Sequence, residues 1–93
     1  MRRRSLELFE LELVQCGIRG VLMNAQYVVE RNDHDEGSKS EIIEGLQSLL
    51  IRDGILERKD ENVVRWSQDA QRILRRHGVE ICVDNPVKYY MKT

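Results

Sequence analysis

Between Ser38 and Trp66 the hydrophobic period of the chain changes once, at a glycine, and this change constrains the fold more than any other feature. Before Gly54, the residues Ile42, Ile43, Leu46, Leu49 and Leu50 recur at i, i+1, i+4, i+7 and i+8, one face of a helix. Ser38 and Glu41 open that helix as an S-x-x-E pair, in which the serine hydroxyl accepts from the third amide and the glutamate reaches back. Arg52 falls in the last turn, where a cation suits unpaired carbonyls, and Gly54 stands where a left-handed residue ends a helix. Beyond it, Ile55 to Arg58 and Val63 to Trp66 are short β-prone runs around the turn Lys59-Asp60-Glu61-Asn62. The centre of the fold is thus expected to be a helix closed by glycine and followed at once by a hairpin.

The flanks are read around this centre. Residues 3–16 are predicted helical and end near Gly17, with Leu6, Phe9 and Leu13 on one face and Leu8 and Leu11 off it. A helix apolar on more than one side belongs in a core or an interface. From Gly20, the residues Val21, Leu22, Ala25, Val28 and Val29 form a second helical stripe, followed by the polar loop RNDHDEGSKS. Downstream, Ser67 caps a helix with Asp69 in its first turn, Ala70, Ile73 and Leu74 inward, Arg75 and Arg76 near its end and Gly78 beyond. Val79, Ile81 and Val83 alternate as a strand does, Asn85-Pro86 turns the chain, and residues 87–93 return as a strand or trail as a tail. The expected order is helix, helix, helix, hairpin, helix, strand: an α+β, mostly helical single domain over residues 1–93, with 79–93 as C-terminal strand and tail.

The stretch EGLQSLLIRDGILERKDENVVRWSQDAQRILR carries a resemblance to the winged-helix superfamily, extending over residues 17–77. It specifies a fold more than a function, because such domains serve as repressors, dimerisation units and protein-binding modules. In DNA-binding members the helix before the wing enters the major groove and its N-terminal half touches base edges. Carried over by position, the resemblance assigns those contacts to Lys39, Ser40, Glu41 and Glu44, with Gln47 further along, and the wing contacts to Arg58 and Lys59. Glu41 is occupied by its own cap, whereas Glu44 faces phosphates that repel it. The polar loop is also longer than the turn of a compact helix-turn-helix.

Charge argues in the same direction. Fifteen basic and sixteen acidic residues leave a net charge of −1, so attraction to nucleic acid or to an anionic membrane has to come from local patches. Arg2, Arg3 and Arg4, with Arg58, Lys59, Arg65, Arg72, Arg75 and Arg76, are the candidates for a phosphate-tracking face. The opening Arg2 to Arg4 briefly imitates an export signal, but Glu7, Glu10 and Glu12 interrupt the apolar run such a signal needs. No stretch approaches the ~20 apolar residues of a membrane span, and a cytoplasmic protein without membrane contact is expected.

Catalytic and metal chemistry find little footing. No P-loop, Gly-rich dinucleotide turn, GxSxG or HExxH occurs, and no cofactor, metal or enzymatic activity is expected. His34 in DHDE lacks a second ligand set, and His77 closes a helix where a ring suits the carbonyl end. Cys16 and Cys82 lack metal-ligand spacing and are expected as reduced, mostly buried thiols. Trp66 is expected to pack beneath the wing.

Self-association is the stronger expectation. Leu8 and Leu11 on the first helix, with Val87, Tyr89, Tyr90 and Met91 in the tail, offer apolar surface that a small domain has difficulty covering alone. A two-fold dimer covers such a patch with its own copy. The sequence therefore points to a non-enzymatic module acting through protein contacts, as a homodimer or with a regulatory partner. The alternative is a DNA-binding transcriptional regulator using helix 38–53 and wing 55–66.

Overall fold

A computed structural model describes residues 2–32 and 38–91. The elements, in order, are α1 (Arg2–Asn32), α2 (Lys39–Arg52), β1 (Leu56–Arg58), β2 (Val64–Trp66), α3 (Gln68–Arg76) and α4 (Pro86–Tyr90). Helices dominate, and the strands form one two-stranded antiparallel sheet, which makes this an α+β fold. His34 and most of the polar loop lie outside the described residues, as do the side chains of Arg2, Arg3 and Arg4.

The two helices expected upstream run together as α1, broken at one residue. Gly17 takes φ 75° and ψ −177°, a left-handed conformation that folds the helix back on itself. A straight helix of 31 residues would span about 46 Å. The longest dimension of the molecule is 37 Å. Both arms consequently reach one core, the first with Phe9 and Leu13, the second with Ile18, Val21 and Leu22. Gly20 completes the bend, since a side chain there would collide with Cβ of Cys16. Cys16 itself is exposed, against the expectation of a buried thiol, because the bend turns it outward; Cys82 is half-buried, and both are free.

α2 follows its sequence signals closely. Ser38 Oγ accepts from the Glu41 amide at 3.4 Å, and Leu46 and Leu50 are buried. Gly54, at φ 78°, closes the helix with two reverse bonds, Gly54 N–H to Ile51 O at 3.0 Å and Ile55 N–H to Leu50 O at 2.9 Å. Gly45 lets α2 approach the second arm of α1, where a Cβ would lie 3.0 Å from Val29 Cγ1. In the hairpin, Leu56 pairs with Trp66, Glu57 with Arg65 and Arg58 with Val64. Asp60 builds the turn, its carboxylate accepting from the amides of Asn62 at 2.8 Å and Val63 at 3.0 Å.

Trp66 lies beneath the hairpin as expected, without exposure. The return helix α3 repeats the capping logic of α2. Ser67 Oγ accepts from the Ala70 amide, and Gly78 at φ 68° ends the helix with Val79 N–H bonded to Leu74 O.

The C-terminal segment departs from expectation twice. Residues 79–83 form no strand, although Val79 and Ile81 pack against the core as their alternation demands. A three-residue β2 offers little edge, so the pairing reduces to one bridge, Arg65 with Asp84, flanked by Trp66 N–H to Val83 O and Asn85 N–H to Val64 O. Residues 86–90 are then a short helix rather than a strand or tail, with Pro86 in the first turn, where its missing N–H costs nothing.

Candidate functional site

The helix–hairpin face distributes its charged residues unevenly. Lys39, Ser40, Glu41 and Glu44 are exposed along α2, but Gln47 is 7 % exposed and is not presented to a base edge as the resemblance would place it. On the hairpin, Arg58 and Lys59 are exposed, and Lys59 lies 3.9 Å from Asp84. Three further cations of the anticipated phosphate-tracking face also stand beside carboxylates. Arg65 binds Glu57 at 2.7 Å, Arg72 binds Asp69 at 3.2 Å, and Arg76 lies 3.4 Å from Glu10. Arg75 donates to Gln71 Oε1 at 3.3 Å. A phosphate approaching Arg65, Arg72 or Arg76 meets a negative partner already in place, which lowers the local positive potential that non-specific binding depends on.

His77 caps α3, as its position at the helix end implied, and its Nε2 lies 3.1 Å from Glu10 Oε1. Glu10 thereby joins α1 to the end of α3 through two contacts. Among the described residues, no group of His, Cys, Asp and Glu is arranged to hold a metal ion. No helix of the described residues is long and apolar enough to cross a membrane.

The anticipated dimer surface divides into two parts. Val87 is fully buried in its own domain, and Tyr90 and Met91 pack against the same core. Tyr90 anchors the segment further, its hydroxyl accepting from the Cys82 amide at 3.2 Å and lying 3.3 Å from Glu80 O. The apolar part of the tail is therefore covered by its own chain, because α4 turns it back under α2 and β2, and of Val87, Tyr89, Tyr90 and Met91 only Tyr89 remains exposed, at 60 %.

The α1 half of that surface is open. Leu8 is 52 % and Leu11 51 % exposed, and Val14 joins them. Leu11 follows the buried Phe9 by two residues, about 200° round the helix, and so points away from the core. On the second arm, Met23 and Tyr27 share an outward face at i, i+4 spacing, a pair that lies off the inward stripe and carries no signal of its own in the sequence. Val28 was placed on the inward stripe but is 43 % exposed, at the edge of that stripe. Leu8 and Val28 line one groove of about 230 Å³ between the arms, with Phe9, Val21 and Ala25 in its wall and Leu49 from α2.

No family model matches the chain, and neither a curated protein nor a solved structure matches it.

Proposed function

We propose that this domain is a non-enzymatic, winged-helix-like binding module that works through protein–protein contacts, first of all with a second copy of itself. In this reading the glycine-closed α2 and the hairpin correspond to the recognition helix and wing of the superfamily. The observation that carries the reading is the outward face of α1. Of the large apolar side chains exposed among the described residues, all but Tyr89 belong to that helix: Leu8, Leu11, Val14, Met23, Tyr27 and Val28. Apolar surface gathered on one element and left in water is the usual mark of an interface. A two-fold arrangement of α1 against its copy would bury it with one self-complementary patch.

The acidic exposed face of α2 and the paired arginines weigh against the DNA-binding alternative, which on the hairpin and α3 would rest on Arg58 and Arg75.

Light scattering after gel filtration at micromolar concentration tests the reading. The expected mass is about twice the 11.0 kDa of one chain. Leu11→Glu combined with Tyr27→Glu is expected to return it to one chain, with unchanged circular dichroism and denaturation midpoint. A wild-type monomer would overturn the homodimer. Selection from random duplexes that returned one motif bound at nanomolar strength would favour the DNA reading instead.

A further inference from the structure

The second arm of α1 carries a ridge as well as one wall of the groove. Arg19, Met23, Tyr27 and Arg31 follow one another at four-residue intervals along it, and all four are exposed. Rows of i, i+4 side chains are the ridges with which one helix packs into the groove of another. This row is apolar in the middle and positive at both ends, and spans about 18 Å. Each step of four residues drifts about 40° round the helix, so the row turns from the solvent side at Arg19 toward the groove. Arg31 ends about 20° from Asn24, which lines the groove.

The groove is complementary in both respects. Its wall is chiefly apolar, with Leu8 from the first arm, Ala25 and Val28 from the second and Leu49 from α2, in a space of about 230 Å³. Apolar wall left open to water favours an apolar occupant. Arg52 and Asp53, also in the wall, offset each other at 3.6 Å. Glu12 is left as the uncompensated charge: it is half-buried and has no ion-pair partner within 4.0 Å among the described residues. A carboxylate partly withdrawn from water loses hydration that a paired cation replaces. Arg19 and Arg31 have no such partner either.

We propose that the ridge of one copy lies in the groove of a second, and reciprocally, so that each Tyr27 packs on the other copy's Leu8, Ala25 and Val28. Each Arg31 then pairs with the other copy's Glu12. This rests on the self-association proposed above and gives it a register. A two-fold axis perpendicular to the second arms sets them antiparallel. The end of one arm farthest from its bend, with Arg31, therefore meets the bend end of the other, where Glu12 and Val21 flank Gly17 in the chain. A guanidinium can grip that carboxylate with two parallel bonds, and tyrosine and arginine are the side chains on which interfaces most often depend.

The test is a charge-reversal cycle on the full chain, read by sedimentation equilibrium. Glu12→Arg and Arg31→Glu are each expected to weaken the dimer at least about tenfold, and the two combined in one chain to restore most of that loss. Tyr27→Ala should also weaken it at least about tenfold. A second measurement does not depend on a reversed charge being tolerated at the half-buried Glu12. With Cys16→Ser and Cys82→Ser as background, a mixture of Glu12→Cys and Arg31→Cys chains should form a disulfide-linked pair on mild oxidation. Either variant alone should stay unlinked. A dimer whose strength neither reversal changes would overturn this register and leave self-association standing, as would a mixture that forms no cross-link. A wild-type monomer would overturn both.

Discussion

The rings of Phe9 and Trp66 lie 5.9 Å apart between centroids, tilted by 35°, and this contact joins the first arm of α1 to the hairpin. Both side chains are almost completely buried. The separation falls within the range in which aromatic pairs add about 0.5–1.5 kcal/mol beyond the area they bury. Phe9→Ala is expected to cost about 3–5 kcal/mol in urea denaturation, since the surrounding helices cannot collapse into the space. A double-mutant cycle of Phe9→Leu with Trp66→Leu should yield a coupling of about 1 kcal/mol. A coupling near zero would mean that the arm and the hairpin are held by burial alone.

Leu46 and Leu49 belong to one helical stripe, yet the fold treats them differently. Leu46 is without exposure in the core, whereas Leu49 is half-buried and lines the open groove between the arms of α1. Leu46→Ala is therefore expected to cost about 2–5 kcal/mol, and Leu49→Ala only about 1–2 kcal/mol, because the groove already admits water. Equal denaturation midpoints for the two variants would contradict this placement.

Glu10 faces both Arg76 and His77, but its carboxylate, the guanidinium and the imidazole are all in partial contact with solvent, at 33 %, 58 % and 31 % side-chain exposure. Pairs of that kind contribute little, and Glu10→Gln is expected to cost less than about 1 kcal/mol. Repeating the measurement in about 1 M sodium chloride should shrink even that difference, as screening requires. A loss comparable to that of Leu46→Ala would show that the pair positions α3 as well as attracting it.

Gly78 ends α3 at φ 68°, with no atom within 4 Å of the place a Cβ would occupy. Gly78→Ala is then a measurement of backbone strain alone, expected at about 1–2 kcal/mol. Gly20→Ala should be worse, because its added carbon meets Cβ of Cys16 and the bend cannot relax without opening.

Local signals were the most legible. The Ser38 and Ser67 caps, the glycines at 54 and 78 and the Asp60 turn act within a few residues of themselves, through hydrogen bonds that the sequence specifies by spacing. For that reason α2, the hairpin and α3 fall close to their expected positions. The inward placement of Phe9, Leu13, Leu46, Leu50, Ile73 and Leu74 was equally readable, since helical period alone sorts them.

Where two elements had to meet, tertiary structure decided. Alternation in residues 79–83 gives each side chain a face, but a ladder also needs a partner edge, and β2 is three residues long. Val87, Tyr90 and Met91 read as part of a dimer interface because their cover, α2 and β2, is remote in sequence. The convergence of Glu44, Arg58 and Lys88 was illegible for the same reason: they come from three elements, and nothing in their spacing announces that they line one polar cleft. Sequence by itself determined which segments are helix or hairpin and which faces are apolar, because those depend on short-range hydrogen bonding and period. Only the tertiary structure decided which apolar faces are covered and which charges converge, because coverage depends on the path of the chain through space, set here by the left-handed bend at Gly17.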